Sequence, residues 1–386
     1  MTDTIPTVPV LERTRGFRWG QVPSVGRRDL PAGGAQPEPD LGAIASFTGT
    51  FKGAGFNTIF RPQDFAATPT PLPNPAHGPD DNILELNLTE ETLSFSPALG
   101  SVPNRGKVQG DVFLNGIPYL QAINDVSDPD QPVGIHLEPG VWLSVPPTTV
   151  PAEGATLVRM ASIPHGTTIE AQGTSSTVAG APVIEPVDIT PFRTGNPGAP
   201  VRFPSQDVND AATFRVPQDL AKFIAAGTIT QAILDDPNII IKNRADAQNI
   251  TSTTAITINT NPDDAPFGGG TDNIAFLLGD KAAAAPNANA IRMTAIFWIE
   301  TVSEQITVPA CGPGQSVIVQ GNASAVGPVA NFAVSPATEI TADTQIDVTY
   351  TQIQYTQTVF LNFNGLTWPH VSVATLVPND PIPITP

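Results

Sequence analysis

The amino-acid sequence predicts an all-β protein with two antiparallel β-barrels in tandem. Short segments of alternating apolar and polar residues recur along the chain, and turn residues separate them, with 42 prolines and 32 glycines. This pattern is typical of sandwiches and barrels. Helical spacing of apolar residues is confined to residues 218–226 and 230–235. The length of 386 residues suits two domains.

An irregular arm, residues 1–40, is expected before the first barrel. The arm holds five arginines together with Phe17 and Trp19. These residues would let it pack over one end of a barrel or bind a partner. A Pro-rich loop later in the chain, residues 66–81, should expose His77 to solvent.

The strand that opens the first barrel is predicted at residues 47–62. Its glycines, Gly49, Gly53 and Gly55, share one face. A strand face without side chains permits tight coiling or the close approach of another backbone.

The first barrel should cover residues 41–177, and its most informative part is a β-hairpin at residues 133–166. Apolar and polar residues alternate in the first strand, so His136, Glu138 and Trp142 share one face. If the apolar face fills the barrel, this polar face points outwards. A bulge at the Pro139-Gly140 step would break the alternation.

A Pro- and Gly-rich linker at residues 178–215 should lead to a second barrel at residues 216–386. Two short helices are expected at its start, one ended by Gly227 and the other by Asp236-Pro237. The segments predicted as strands are 238–261, 273–278, 291–302, 307–322, 345–363 and 370–377.

Charge and composition exclude several partners. The formal net charge is −18, which repels the phosphates of nucleic acid and the surface of anionic membranes. The single cysteine, Cys311, excludes an internal disulfide and a cysteine-based zinc cage. We find no export signal and no apolar run long enough for a membrane helix. We therefore expect no membrane insertion, and we expect a cytoplasmic location. Nucleophile-elbow, Walker and dinucleotide motifs are missing.

Residues 47–59, FTGTFKGAGFNTI, resemble the first strand of nitrobindin-type haem barrels in the calycin superfamily. The pattern there is G-x-W-x-G-x-G; the three glycines match it, and Phe51 stands in place of the tryptophan. The resemblance extends over about residues 45–175 and implies a lipocalin-like antiparallel barrel around one small apolar ligand. No motif aligns to a haem ligand. Two such barrels in tandem also resemble, in size and architecture, lipocalin-like hydratases and cyclases.

His136 and Glu138 are the candidate catalytic residues. Two residues apart on a strand, they bring an imidazole and a carboxylate to one face, which suits proton transfer by an oriented histidine. His165 from the neighbouring strand would complete a His₂Glu set of the type found at catalytic zinc, although we predict no metal site. The alternative is a polar face with no chemical role.

The ligand-binding candidates are aromatic, imidazole or polar residues of the first barrel: Phe56, Asn57, Arg61, Tyr119, Trp142, Met160 and His165. His165 is the preferred haem-binding imidazole because Met160 and Trp142 belong to the same hairpin, and His370 is the second choice. Arg61 should pair with Glu85 or Glu138, or else meet a ligand carboxylate.

Three functions remain open at this point. The first is binding of a small hydrophobic molecule (a lipid, an isoprenoid or haem) in a barrel pocket. The second is a cofactor-free hydratase, isomerase or cyclase in which His136 and Glu138 transfer protons. The third is a structural or assembly protein, and a homo-oligomer is compatible with each of the three.

Overall fold

A computed structural model describes residues 40–63, 82–213, 215–261, 268–279, 287–322 and 327–386. The predictions for the arm before Asp40 and for His77 lie outside these residues. The strands are β1 (Gly49–Pro62), β2 (Asn82–Phe95), β3 (Ser101–Asn104), β4 (Val112–Asp125), β5 (Val133–Val145), β6 (Thr148–Thr149), β7 (Ala152–Glu153), β8 (Thr156–Ile163), β9 (Thr167–Ala179), β10 (Phe192–Arg193), β11 (Arg215–Val216), β12 (Asn249–Asn259), β13 (Gly270–Asn273), β14 (Asn289–Val308), β15 (Val317–Gln320), β16 (Asn331–Val334), β17 (Thr344–Phe363), β18 (Leu366–Pro378) and β19 (Ile382–Ile384). The α-helices are α1 (Ala221–Ala226), α2 (Gln231–Asp235), α3 (Asn238–Asp246) and α4 (Ala275–Leu278), and 3₁₀ turns cover Gly42–Ile44 and Pro204–Gln206. Within these ranges, every helix is too short or too polar to cross a membrane.

Ten of the strands form one closed antiparallel barrel. Their order is β2-β1-β18-β17-β14-β12-β9-β8-β5-β4, and β4 pairs back onto β2. Closure leaves no sheet edge along this ring. The all-β prediction with an antiparallel barrel is therefore confirmed.

The prediction of two barrels in tandem is not confirmed. The chain before the predicted linker supplies six strands of the ring and the chain after it supplies four. The two sets meet where β9 pairs with β12 and where β1 pairs with β18. A filled barrel of small diameter needs about eight strands, so four strands do not close alone.

The glycines of β1 allow the close contact with β18 that the sequence predicts. A Cβ at Gly53 would lie 1.9 Å from the carbonyl oxygen of Thr375, and one at Gly55 would lie 2.2 Å from that of Val373. Any larger residue would push these backbones apart. Gly49 has a different role, because it takes φ +68° where the strand begins.

The first two helices follow local signals, and two segments predicted as strands need correction. Helix α1 ends at Gly227, which takes φ +72°, as predicted. Residues 238–246, predicted as a strand, form α3 instead. The carboxylate of Asp236 accepts a hydrogen bond from the Asn238 N–H at 3.0 Å, and Ile241 and Ala245 bury one face, so capping and packing outweigh the β-branched run. Segment 273–278 is likewise only the end of β13 followed by α4.

A second apolar cluster forms where the segment between β9 and β12 packs against β1, β17 and β18. Trp368 stacks on Phe363 at 4.4 Å and on Phe203 at 5.1 Å between ring centroids, and Phe60 lies 5.3 Å from the same indole ring. Phe203 belongs to the segment between β9 and β12, the predicted linker. That segment is thus part of the core.

Glu300 on β14 is a buried carboxyl on the outer face of the barrel, below the end of α3. It is 1% exposed and accepts a hydrogen bond from the Gln352 amide at 2.7 Å, while its second oxygen has no partner among the described residues. Burial raises the pKa of Glu300 to about 7, against the smaller opposing effects of Gln352 and the Arg244 charge. Deprotonation of Glu300 therefore disfavours the folded state.

We expect Glu300→Gln to stabilise the protein by about 3 kcal/mol at pH 8 and hardly at all at pH 4. Between the unfolded value of 4.5 and about 7, the folded state holds a proton that the unfolded state has released, so wild-type stability falls as pH rises through that window. Urea unfolding at both pH values measures the effect, with the exposed Glu90→Gln as control. An equal change at both pH values would contradict this assignment.

Candidate functional site

Inward side chains of the barrel follow a fixed order along each strand. The inward side chains of β5 are Trp142, Glu138 and His136, in that order from one end of the barrel to the other. Gly140 lies between the first two and has no side chain. Cross-strand partners share a face, so Ile117, Gln121 and Ile123 on β4 line the same three levels. The interior is therefore aromatic at one end, charged in the middle and histidine-lined at the other end.

The aromatic end is closed. Phe47, which follows the first 3₁₀ turn, stacks on Phe95 at 4.6 Å and lies 5.4 Å from Trp142. Trp142 meets Phe297 edge to face at 5.2 Å, and Phe297 stacks on Tyr355 at 5.4 Å. Trp142, a predicted ligand contact, is thus 1% exposed and sits in this plug.

The middle of the barrel contains a buried ion pair between Arg159 and Glu138. The guanidinium Nη2 lies 2.5 Å from Glu138 Oε1, and the two side chains are 1% and 0% exposed. Arg159 also donates to the Tyr119 hydroxyl at 2.8 Å and to Gln357 Oε1 at 2.7 Å. The Tyr119 hydroxyl in turn donates to Glu138. A charge pair this deep is tolerated only because its hydrogen-bonding groups are satisfied.

Burial alone would raise the pKa of Glu138, but the Arg159 charge and the hydrogen bonds of His136 and Tyr119 outweigh it and lower that pKa to about 2. Burial and the adjacent Glu138 charge together raise the pKa of Tyr119 well above its usual value, against the opposing charge of Arg159. Glu138 is therefore a fixed anion and Tyr119 a fixed hydrogen-bond donor.

A second carboxyl, Glu91, lies in the same layer. It is 1% exposed and accepts hydrogen bonds from Tyr355 at 2.5 Å and from Thr89 at 2.9 Å. Burial raises the pKa of Glu91, and its hydrogen bonds only partly offset this effect. The pKa values of these two carboxyls are thus shifted in opposite directions, because only Glu138 has a guanidinium beside it.

Three histidines, His136, His165 and His370, lie towards the other end of the interior, which we call the histidine mouth. The rings of His136 and His165 are 6.0 Å apart between centroids. Burial lowers the pKa of His370 to about 3, and the positive charges of protonated His165 and His136 add to the effect. Burial also lowers the pKa of His165, together with the His136 charge, while a hydrogen bond to the Ile135 backbone opposes the change. His370 and His165 are thus neutral at pH 7.

A short chain of amides holds His370 in place. The Asn57 amide nitrogen lies 2.7 Å from His370 Nε2 and 2.7 Å from the Ser372 hydroxyl, and the Asn57 oxygen accepts from Asn87 at 3.1 Å. Because an amide N–H only donates, Nε2 of neutral His370 is the acceptor and its proton resides on Nδ1. That Asn57 contacts a ligand stays a prediction. Its hydrogen bonds orient His370, the second choice for a haem-binding imidazole.

The β5 strand has the predicted alternation but the opposite orientation. Glu138 and Trp142 face inwards, whereas Leu137 is 48% exposed on the outer wall. The bulge also lies elsewhere, because the β4–β5 register shifts at Ile135 and stays regular through Pro139. The interior can accept the polar face because Arg159 compensates Glu138 there.

Two predicted ligand contacts lie away from the interior. Met160 is 37% exposed on the outer face of β8, and Phe56 is fully buried on the outer face of β1, opposite to Asn57. Alternation along each strand accounts for both, since their neighbours Arg159 and Asn57 point inwards. Arg61 forms an ion pair with Glu85 near the mouth, one of its two predicted partners.

Sequence reasoning missed Arg159, the residue on which the interior depends. The sequence did contain a signal. Arg159 stands between Val158 and Met160 on a predicted strand, and charged residues are rare in this chain, at 14%. An arginine on an otherwise apolar strand face needs a carboxylate partner. Gln357 and Tyr355 could not be found this way, because they lie about two hundred residues further along the chain.

Comparisons with known proteins add little to this description. No family model matches the chain, and no curated protein matches it. One solved structure, the crystal structure of Rv2717c from M. tuberculosis, is similar over 88% of this chain and 96% of that chain, with 11% identity and a TM-score of 0.32. A score this low carries no argument. Among the described residues, no group of three or more His, Cys, Asp or Glu side chains is arranged to hold a metal ion.

We expect Glu138→Gln to destabilise the protein by about 3–5 kcal/mol, because it leaves the Arg159 charge buried and unpaired. The wild type should lose the same contribution as pH falls from 4.5 towards 2, because the folded-state pKa of Glu138 lies below its unfolded value. Urea unfolding at pH 7 measures the loss, and Glu170→Gln on the exposed face of β9 is the control. A loss no larger than that of the control would mean that the pair contributes nothing.

Proposed function

We propose that the protein binds a small hydrophobic molecule at the histidine mouth. The observation that carries this proposal is a ring of inward, apolar side chains beside the histidines. Val359 pairs with both Met293 and His370, and Ile123 pairs with His136. Apolar walls with a few convergent polar groups are the usual composition of a small-molecule site.

The ring continues outwards to side chains that the fold leaves incompletely covered. Ile59, two residues beyond Asn57 on the same face of β1, and Ile163, two residues beyond Ala161 on β8, are partly exposed although both pack against the core. A ligand would remove this apolar surface from water. At about 25 cal/mol per Å², such burial is the main driving force that a hydrophobic ligand offers.

Haem is one ligand of this class, and the mouth fits it in part. A porphyrin body packs against apolar side chains such as those of the ring, and a haem iron requires an imidazole nitrogen with a free lone pair. Nε2 of His370 accepts from Asn57, and Nε2 of His136 lies 3.2 Å from Glu138. Among the described residues, His165 at the rim has a hydrogen bond to the Ile135 backbone, and it is the residue that would supply an axial nitrogen.

Two substitutions on one strand test the binding site. Ile163→Glu places a charge on the inner face of β8, and Met160→Glu places the same charge on its outer face. We expect Ile163→Glu to abolish binding of a neutral hydrophobic dye, while Met160→Glu retains it. Fluorescence titration measures both affinities, and far-ultraviolet circular dichroism verifies the fold of each variant.

The same variants distinguish haem from other ligands. A Soret band that appears on haem titration, and that His165→Ala removes while dye binding persists, would assign haem to the mouth. Dye binding without any Soret shift would leave a lipid-like ligand. Equal dye affinities for the two glutamate variants would exclude the mouth as the site.

Proton transfer by His136 is the second candidate function. Its Nε2 lies 3.2 Å from Glu138 Oε2, and Glu138 is held as an anion by Arg159. A carboxylate so placed fixes a histidine with its proton on Nε2, which leaves Nδ1 as a base. Glu138 itself, with its pKa lowered to about 2, orients the histidine and does not act as an acid at neutral pH.

Tautomers of the histidines test this candidate directly. We expect His136 to carry its neutral-state proton on Nε2 and His370 to carry it on Nδ1, and two-bond ¹H–¹⁵N correlation spectra distinguish the two forms. Asn57→Ala should release the His370 tautomer and leave that of His136 unchanged. A neutral His136 protonated on Nδ1 would remove the proposed base.

A further inference from the structure

We propose that the basic N-terminal segment, residues 11–28, binds a trough on the outer wall of the barrel. The trough lies across β5, β8, β9 and β13, has a volume of about 690 Å³ and is a different site from the histidine mouth. Its lining combines apolar, hydroxyl and acidic side chains, among them Pro139, Val141, Met160, Ser162, Glu170 and Asp272.

The described residues leave this part of the wall uncovered, whereas they cover part of the opposite side. On the opposite side the outward residues Phe60 and Leu84 are fully buried, and Phe60 lies 6.1 Å from Phe203 of the chain's own covering layer. By contrast, Met160 and Leu137 are 37% and 48% exposed. Exposed apolar groups gathered in one part of the surface favour an occupant.

The chemistry of the trough selects a basic and aromatic occupant. Glu170 and Asp272 contribute two carboxylates, and the described residues that line the trough include no lysine or arginine. Residues 11–28, LERTRGFRWGQVPSVGRR, hold five arginines against one glutamate, together with Phe17 and Trp19. In a chain with net charge −18, this concentration of cations is complementary to the trough in both charge and hydrophobicity.

The attachment point of the segment allows it to reach the trough. The Asp40 carbonyl accepts a hydrogen bond from Asn115 at 2.8 Å, and Asn115 pairs with Ser144 of β5. Val141 of the trough is three residues further along β5, about 10 Å away at about 3.3 Å per residue. The twelve residues from Arg28 to Asp40 span up to about 40 Å when extended.

Thiol accessibility tests the proposal in the full-length chain. Ser162→Cys places a thiol in the trough, Ile318→Cys places one on the exposed strand β15 as control, and the native Cys311 is buried. Each variant is modified with a maleimide at low salt, with the segment either native or carrying Arg13→Glu, Arg15→Glu and Arg18→Glu. Binding depends on ion pairs at the protein surface, which are weak and which salt screens, so low salt preserves them.

We expect the three charge reversals to accelerate modification at position 162 severalfold and to leave position 318 unchanged. Glu170→Lys combined with Asp272→Lys should produce the same acceleration with the native segment. Equal rates at position 162 with native and reversed segments would overturn the proposal. Protection that disappears on dilution would also overturn it, because the occupant would then be a second copy of the chain.

Discussion

The buried ion pair between Arg159 and Glu138 is the constraint on which the barrel depends. A carboxylate and a guanidinium without water require partners for all their hydrogen-bonding groups, and these come from β4, β5, β8 and β17. Gln357 lies 198 residues beyond Arg159 in the chain, so the pair can be satisfied only when both halves of the sequence share one barrel. The polar centre thus favours the single ring over two separate barrels.

The same pair determines the chemistry of its neighbours. Because Arg159 keeps Glu138 ionised, Glu138 can accept from His136 at the boundary between the charged layer and the mouth. Glu91 has no such cation and its pKa moves upwards instead. One arginine therefore moves the pKa values of two carboxyls in opposite directions from their usual value, and Glu138 is the one that contacts His136.

The sequence predicts what local chemistry decides. The all-β class, the contact of Gly53 and Gly55 with another strand, the end of α1 at Gly227 and one of the two partners proposed for Arg61 all follow from short stretches. Alternation along β5 also predicts two faces, but it does not tell which face is inside. That choice depends on Arg159 in the next strand and on Gln357, so it is settled by tertiary contacts that a single sequence does not display.

The two ends of the barrel differ in how completely the chain covers their apolar surface. At the aromatic end Phe47 and Phe95 are 1% and 4% exposed, so the surface there is already removed from water by the chain itself. At the histidine mouth Ile59 and Ile163 stay partly exposed beside imidazoles that the fold holds in defined orientations. Apolar surface left in water costs free energy, and positioned imidazoles lose conformational entropy. A ligand that covers the apolar surface and forms hydrogen bonds with the imidazoles would offset both costs. Only the histidine mouth offers a ligand these two features together.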